Sequence, residues 1–357
     1  NEVLTYHAVD GAVTSEQLQS GSVPTLEGGS VAVNVTDTSV TVDDVPVSTT
    51  DIRTRNGVVH LVDDVLLRGV DAVDRTVLAS PLSTTQAAIE AAGLAGPNSP
   101  LRGDGPLTIF APLNSGFDGL EVGELTGQTD LTGRVLQYHV ISGQRIGSGD
   151  LANGETPQTL EGGTLTVAGV GDENAPVTLN GVPVAVTDIQ TENAVIHLID
   201  GVLLQEINAV ERATITASFS ILQQLVGEAG LADALSGPGP DGEDGLTVFA
   251  PTNDAFLAAL DANGNGEIGL GELPSDSELE ALLKYHVLDD VFFAADVPTT
   301  ETPLPTLEGS DVTVVRDGSA VTLNPGAEAS SVVAPDVDVS NGVIHGIDTV
   351  LQIPAAN

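Results

Sequence analysis

The sequence predicts a repeated fold that combines β-strands with helices, and three observations support this prediction. Valine and threonine form runs that suit half-buried strands, so sheet is expected to be abundant. Apolar residues at helical spacing, next to capping residues, predict helices ahead of two of the repeated segments. Short sequence segments are repeated along the 357-residue chain, which is long enough for two to three domains.

The repeats determine how the chain is organised. Each carries a Tyr-His pair, a Thr-Leu-Glu-Gly segment and a segment of the form Asn-x-Val-x-His-x-x-Asp, in that order. The three sets begin at Tyr6, Thr25 and Asn56, at Tyr138, Thr159 and Asn193, and at Tyr285, Thr306 and Asn341. Every histidine and every tyrosine belongs to this set. The repeats therefore predict three units, residues 1–68, 69–206 and 207–357.

A fourth element occurs only twice. Residues 107–117 contain Thr-Ile-Phe-Ala-Pro-Leu-Asn and match residues 246–256, and a helical pattern precedes each copy. Ser83 or Thr84 is expected to cap the first of these helices, and Ser218 the second. The second and third units are thus complete, whereas the first lacks its front half.

These segments, in this order, resemble the fasciclin-like domain family over essentially the whole chain. The resemblance implies an α+β fold of tandem domains, each a β-sheet wedge packed against several helices. Residues 1–68 would be the C-terminal half of a domain, 69–206 a complete domain, and 207–357 a complete domain with an insertion at 261–272. It also implies a secreted or surface-anchored protein that acts in adhesion and matrix building.

The charge balance is extreme, with 51 acidic residues against 10 basic ones and a net charge of −41. Such a surface repels nucleic acid and anionic lipid, so neither is expected as a partner. No apolar run approaches the roughly 18 residues that span a bilayer. The acidic excess and the single lysine, Lys284, resemble halophilic proteins, although an ordinary acidic secreted protein remains the alternative.

The repeated histidines admit two interpretations. Around His60, alternation places apolar residues on both faces, which predicts a buried central strand where His60, His197 and His345 are satisfied polar groups of the core. The alternative is a metal site to which the Tyr-His histidines add a second ligand. No serine has a nucleophile-elbow context, so the chain is predicted not to be an enzyme.

The Tyr-His segment carries a further expectation from the resemblance. In the family this segment is associated with contact to cell receptors. The positions concerned here are Tyr138, His139, Tyr285 and His286, and core packing accounts for them equally well.

Residues 261–272 fit the twelve-residue calcium loop of EF-hand type. Oxygen side chains fall at positions 1, 3 and 5, glycine at position 6 and glutamate at position 12. The predicted ligands are the side chains of Asp261, Asn263, Asn265 and Glu272 and the backbone carbonyl of Glu267. Helices are predicted before the loop, over 254–260, and after it, over 277–284 with Asp276 or Ser275 as cap. The alternative is a Gly-Asn-rich surface turn.

Together these features predict an extracellular or cell-surface adhesion protein whose partners are matrix components or other copies of itself. The alternative is a ligand-binding protein with a crevice between helices and sheet for a lipid, pigment or glycan. The missing half of the first unit is expected either upstream or from another copy. The second arrangement would build a head-to-tail fibre.

Overall fold

The computed structural model describes residues 2–172, 174–237, 245–269, 271–326 and 329–354. The chain divides into two compact units, each of α+β type. Unit 1 comprises Asn1–Gly116 and Leu136–Val202, and unit 2 comprises Phe117–Val135 and Leu203–Asn357. We refer to residues 1–68, 69–206 and 207–357 as the first, second and third modules; most of the first two lies in unit 1, and the third in unit 2.

The first module is an antiparallel sheet with one short helix. Its elements are α1 (Glu2–Tyr6), β1 (Gly21–Pro24), β2 (Ser30–Val35), β3 (Val40–Val42), β4 (Val45–Arg53) and β5 (Val58–Val62). The five strands follow one another in chain order, so β5 lies at an edge. Val31 and Val33 alternate with exposed residues along β2 and pack with Tyr6 and Leu66 in the core.

The second module adds helices to a six-stranded sheet. Its elements are α2 (Ala72–Val77), α3 (Ser83–Ala91), β6 (Leu107–Pro112), α4 (Val122–Thr126), α5 (Thr129–Tyr138), β7 (Val140–Ser142), β8 (Val167–Ala168), β9 (Thr178–Leu179), β10 (Val182–Gln190) and β11 (Ala194–Ile199). The strand order is β7-β6-β11-β10-β9-β8.

The third module repeats this arrangement with a seven-stranded sheet in the order β13-β12-β18-β17-β16-β15-β14. The helices are α6 (Ala209–Ile215), α7 (Ser220–Glu228), α8 (Ala232–Ser236), α9 (Asn253–Leu260) and α10 (Asp276–Tyr285). The strands are β12 (Leu246–Pro251), β13 (Val287–Leu288), β14 (Thr302–Pro305), β15 (Asp311–Asp317), β16 (Ala320–Leu323), β17 (Ser330–Val339) and β18 (Gly342–Ile347). Among the described residues, no helix has both the length and the apolar character that a membrane crossing requires.

The last strand of each complete module runs parallel to the first strand of that module: β11 pairs with β6, and β18 with β12. In the third module, Ile344 belongs to the core beneath the helices, whereas Ile347 packs with strands β15 and β16 on the other face. Ile196 and Ile344 are each 1% exposed. The prediction of a buried strand with two apolar faces is thus confirmed for these modules.

The prediction fails for β5 in the first module. Val59 and Leu61 are 45% and 51% exposed, because within the described residues nothing corresponds to the front-half strand and helices of the other modules. The core of this module is confined to the opposite face of its sheet.

The predicted helix caps are also wrong. The residues preceding α3 and α7 are Leu82 and Phe219, and neither caps through its side chain. The cap comes instead from the asparagine of the Ala-Pro-x-Asn segment: Asn114 Oδ1 accepts the N–H of Thr84 at 2.9 Å. Asn253 Oδ1 does the same for Ile221 at 3.0 Å. The asparagine thereby satisfies an N–H that has no partner inside the helix.

Candidate functional site

The twelve-residue loop lies between two helices, as predicted. Helix α9 ends at Leu260 and α10 begins at Asp276. Glu278 Oε2 accepts hydrogen bonds from the N–H of Ser275 at 3.0 Å and from its hydroxyl at 2.6 Å, so Ser275, one of the two predicted caps, is the residue that caps α10. The loop is described except at residue 270.

The first half of the loop wraps around Asp261. Its carboxylate accepts the N–H groups of Gly264 at 2.7 Å, Asn265 at 3.2 Å and Gly266 at 2.8 Å. These bonds, that from Gly266 first, lower the pKa of Asp261 and keep it ionised. Gly264 and Gly266 have φ values of +71° and +82°, a left-handed conformation that glycine adopts without strain.

The second half of the loop brings Glu272 back towards its start. Glu272 Oε1 accepts the N–H of Asn263 at 3.1 Å and its side-chain amide at 2.8 Å, and Oε2 accepts the N–H of Gly269 at 2.9 Å. Position 12 of the loop thus lies beside position 3. Asn265 Oδ1 accepts the N–H of Glu267 at 2.9 Å.

The donor set of this loop fits calcium. It offers two carboxylates, two side-chain amides and a backbone carbonyl, and Ca²⁺ prefers oxygen ligands of these kinds. No group of three or more His, Cys, Asp or Glu side chains suited to a metal occurs among the described residues. Any site here therefore depends on the amides of Asn263 and Asn265 in addition to Asp261 and Glu272.

The two tyrosines of the Tyr-His pairs are buried. Tyr138 and Tyr285 are 1% and 0% exposed. The hydroxyl of Tyr138 donates to the carbonyl of Thr164 at 2.7 Å and accepts from Asn180 Nδ2 at 2.8 Å. Asn180 lies at a turn with φ of +47°, so the tyrosine ties this hairpin to the core. Tyr285 makes the corresponding bonds to Asp311 and Asn324.

The adjacent histidines are buried as well. His139 and His286 are each 2% exposed. His286 Nδ1–H donates to the carbonyl of Leu282 at 2.8 Å, and Nε2 accepts the N–H of Leu351 at 2.9 Å. Burial lowers the pKa of His286 to about 4, so the ring is neutral near pH 7. The expectation that the Tyr-His pairs form a receptor-contact surface is at odds with this burial, because all four side chains contact the module interior.

The histidines of the parallel strands hold a loop against the sheet. His197 and His345 donate through Nε2–H to the carbonyls of Ile146 and Phe292, each at 2.8 Å. Their Nδ1 atoms accept the N–H groups of Asp188 and Asp336 at 3.4 and 3.2 Å. Both rings are satisfied polar groups of the core, as predicted, so neither is available as a metal ligand.

His60 differs from its two counterparts. It is half-buried, and its Nε2 donates to the carbonyl of Val13 at 2.9 Å. Its Nδ1 is buried without a hydrogen-bond partner in the described structure. The prediction of a fully satisfied core histidine is therefore wrong at this position.

An aspartate that the sequence motifs did not identify accompanies each of these histidines. Asp51, Asp188 and Asp336 have φ values of +61°, +64° and +55° and lie at irregularities where the strand register shifts. Asp188 Oδ1 accepts the N–H of Ser148 at 2.8 Å and thereby fixes the loop that His197 also binds. The available signal was an aspartate nine residues before each histidine.

Two small cavities lie in the interiors of the complete modules. One of about 30 Å³ lies beside His139 and a corresponding one of about 30 Å³ beside His286. Sites for drug-sized ligands measure about 300–1,000 Å³. A lipid or pigment crevice between helices and sheet is therefore not supported at these positions.

The fold and the recurring buried side chains define a protein of tandem α+β modules. Residues 1–68, 80–205 and 217–354 match the Fasciclin domain, and the chain therefore belongs to the fasciclin domain family.

The chain is similar to several known proteins. It is 30% identical to pig transforming growth factor-beta-induced protein ig-h3, over 99% of this chain and 49% of the relative. It is 29% identical to human periostin, over 98% of this chain and 39% of the relative. A solved domain pair of the insect cell adhesion molecule fasciclin I covers 78% of this chain and 95% of that structure at 18% identity, with a TM-score of 0.39. The chain spans about half the length of the first of these relatives.

Proposed function

We propose that this chain is an extracellular or cell-surface array of fasciclin modules that acts in adhesion, with the third module stiffened by calcium in the loop 261–272. Membership of the fasciclin family and the strongly acidic composition support an adhesive role outside the cell, and halophilic adaptation is part of the proposal. The matrix or cell-surface partner contacts exposed groups, since the Tyr-His pairs are buried.

The return of Glu272 to Asn263 is the observation that carries the calcium proposal. Asp261, Asn263, Asn265, Glu272 and the carbonyl of Glu267 would hold the ion, whose charge would offset that of the two acidic side-chain ligands. Two charged ligands indicate a weak site, of the kind that extracellular modules use at about 10⁻⁴–10⁻³ M. Bound calcium would link the end of α9 to the start of α10.

Glu272→Ala is expected to abolish specific calcium binding because it removes the carboxylate that closes the loop. The measurement is calcium calorimetry in molar KCl, where screening suppresses diffuse binding to the acidic surface. Glu267→Ala is the matched control, since it removes a carboxylate from the same loop but keeps the backbone carbonyl. The intact protein and Glu267→Ala should bind alike; absence of binding heat at millimolar calcium would refute the proposal.

The exposed apolar face of β5 in the first module favours self-association as a second function. Val59 is 45% exposed, whereas its counterparts Ile196 and Ile344 are each 1% exposed beneath their helices. Strands β6 and β12, which pair with the corresponding strands elsewhere, are already paired inside their own modules. A second copy would have to open a sheet to donate one of them. Two copies that pack the apolar faces of their β5 strands against each other form a closed dimer, and this arrangement is favoured over a fibre.

Leu61→Lys is expected to shift the chain from dimer to monomer, because it places a charge in the apolar contact. Sedimentation velocity over about 1–100 µM protein measures the change. Val186→Lys is the control, since Val186 is an exposed strand residue of the second module with 45% exposure. A parent chain that stays monomeric throughout this range would exclude the dimer.

A further inference from the structure

A polar cleft of about 300 Å³ lies in unit 1 where the first module meets the second. Its volume falls within the range of small-ligand sites. The residues that matter to its chemistry are Tyr6, Glu27, Arg68, Arg145, Gln190 and Glu192. Two of the 10 basic residues of the chain therefore face the same cleft.

Arg145 is held in place by backbone and amide oxygens. Its Nη2 donates to the carbonyl of Thr191 at 2.9 Å and to that of Glu192, and its Nη1 donates to Gln190 Oε1 at 3.2 Å. Partial burial, and secondarily the charge of Arg68, lower the pKa of Arg145. Both guanidinium groups line the cleft, where their charge would attract an anion.

Arg68 retains hydrogen-bonding capacity. Its nearest carboxylates are those of Asp43 at 3.7 Å and Asp44 at 4.0 Å, both longer than a hydrogen bond. Asp43 is engaged elsewhere, since it accepts the hydroxyl of Tyr6 at 2.7 Å and the N–H of Ala32 at 2.8 Å. The Arg68 side chain is 35% exposed, so its N–H groups can reach a ligand.

The two residues that follow Arg68 are each held by a contact with another segment. A Cβ atom at Gly69 would lie 2.2 Å from the ring of Tyr6, so only glycine lets the chain run against this ring. One residue later, the carbonyl of Val70 accepts the N–H of Glu192 at 3.0 Å. The cleft is therefore preformed rather than assembled by the ligand.

The remaining lining groups select what kind of anion fits. Glu27 and Glu192 can accept hydrogen bonds from hydroxyl groups, which a simple inorganic anion such as sulfate lacks. Gln190 adds an amide that both donates and accepts. A ligand that carries one carboxylate and several hydroxyls suits both the arginines and the glutamates of this lining. Its carboxylate can pair with a guanidinium in bidentate fashion, and its hydroxyls can donate to the glutamates.

We propose that this cleft binds an acidic saccharide through Arg68 and Arg145, with Glu27 and Glu192 accepting hydrogen bonds from its hydroxyls. The inference rests on the proposed adhesive role only for the source of the saccharide. The site lies in unit 1, so its test is independent of the calcium loop in unit 2.

The test is a titration with D-glucuronate in 1 M KCl, followed by ligand-observed NMR and calorimetry. D-Glucuronate should bind at millimolar concentration, and D-glucose, which lacks the carboxylate, should not. Arg68→Gln should weaken glucuronate binding at least tenfold without changing the melting temperature, because the ion pairs of Arg68 are long. Arg145→Gln should weaken it similarly.

Arg55→Gln is the control, since Arg55 is exposed on the first module and the charge change is the same. It should bind glucuronate as the parent does. Equal binding by the parent and Arg68→Gln would overturn the assignment. So would inorganic sulfate that competes as tightly as glucuronate, which would reduce the cleft to a simple anion site, or glucose that binds as well as glucuronate.

Discussion

Lowering the salt concentration from about 3 M to 0.05 M is expected to unfold or loosen this protein. The net charge is −41, and 10 basic residues cannot neutralise 51 acidic ones. Self-repulsion acts over the Debye length, about 3 Å at 1 M salt and about 10 Å at 0.1 M. Repulsion between the surface charges therefore acts over a several-fold longer distance as salt is removed. This repulsion destabilises the compact state.

Thermal melting in a KCl series measures this effect. Sucrose added at low salt is the control, because it favours burial without screening charge. If KCl stabilises the protein by screening its charges, sucrose should recover only a small part of the stability that KCl provides. A melting temperature that stays constant across the series would contradict the halophilic interpretation.

Gly342→Ala is expected to destabilise the third module by about 3 kcal/mol or more. Gly342 has φ of +145°, and a Cβ atom there would lie 1.9 Å from the carbonyl oxygen of Leu246 and 2.6 Å from its nitrogen. Leu246 is its partner in the parallel pair of β12 and β18. The obstacle is backbone, so relief would require the two central strands to separate.

Gly57→Ala is the matched control, because Gly57 occupies the corresponding position in the first module and a Cβ atom there meets nothing within 4 Å. This variant should melt like the parent. Denaturant unfolding combined with hydrogen exchange of β18 amides locates any loss in the third module. Unchanged exchange protection in Gly342→Ala would show that the strands tolerate the methyl group.

The sequence could predict features that are repeated or that depend on local pattern. Three copies of the His segment, with apolar residues on both faces, correctly indicated a buried central strand in two modules. The helices on either side of loop 261–272 were predictable because apolar spacing and a Ser-x-x-Glu cap are local signals.

Long-range partners were not predictable in the same way. Asn114 caps a helix that begins 31 residues earlier, and only the fold brings the two together. The aspartates at the register shifts lie at a fixed spacing before the histidines, and the sequence shows this spacing. It does not show that these aspartates adopt a left-handed backbone conformation and bind a loop from another part of the module. The cleft between Arg68 and Arg145 is likewise a product of chain positions 77 residues apart.

The repeats show most clearly which features the sequence predicts and which it does not. The second module carries Ala194 where the third carries Gly342, so the sequence alone would rate alanine as acceptable at this position. In the second module, Gly105 makes the close approach instead, since a Cβ atom there would lie 2.2 Å from the carbonyl of Asn193. The sequence by itself determined the family, the repeat and the pattern of burial in the central strands of the two complete modules, because these follow from local periodicity. Only the tertiary structure decided which backbone atoms meet, because close contact depends on how two distant segments pack.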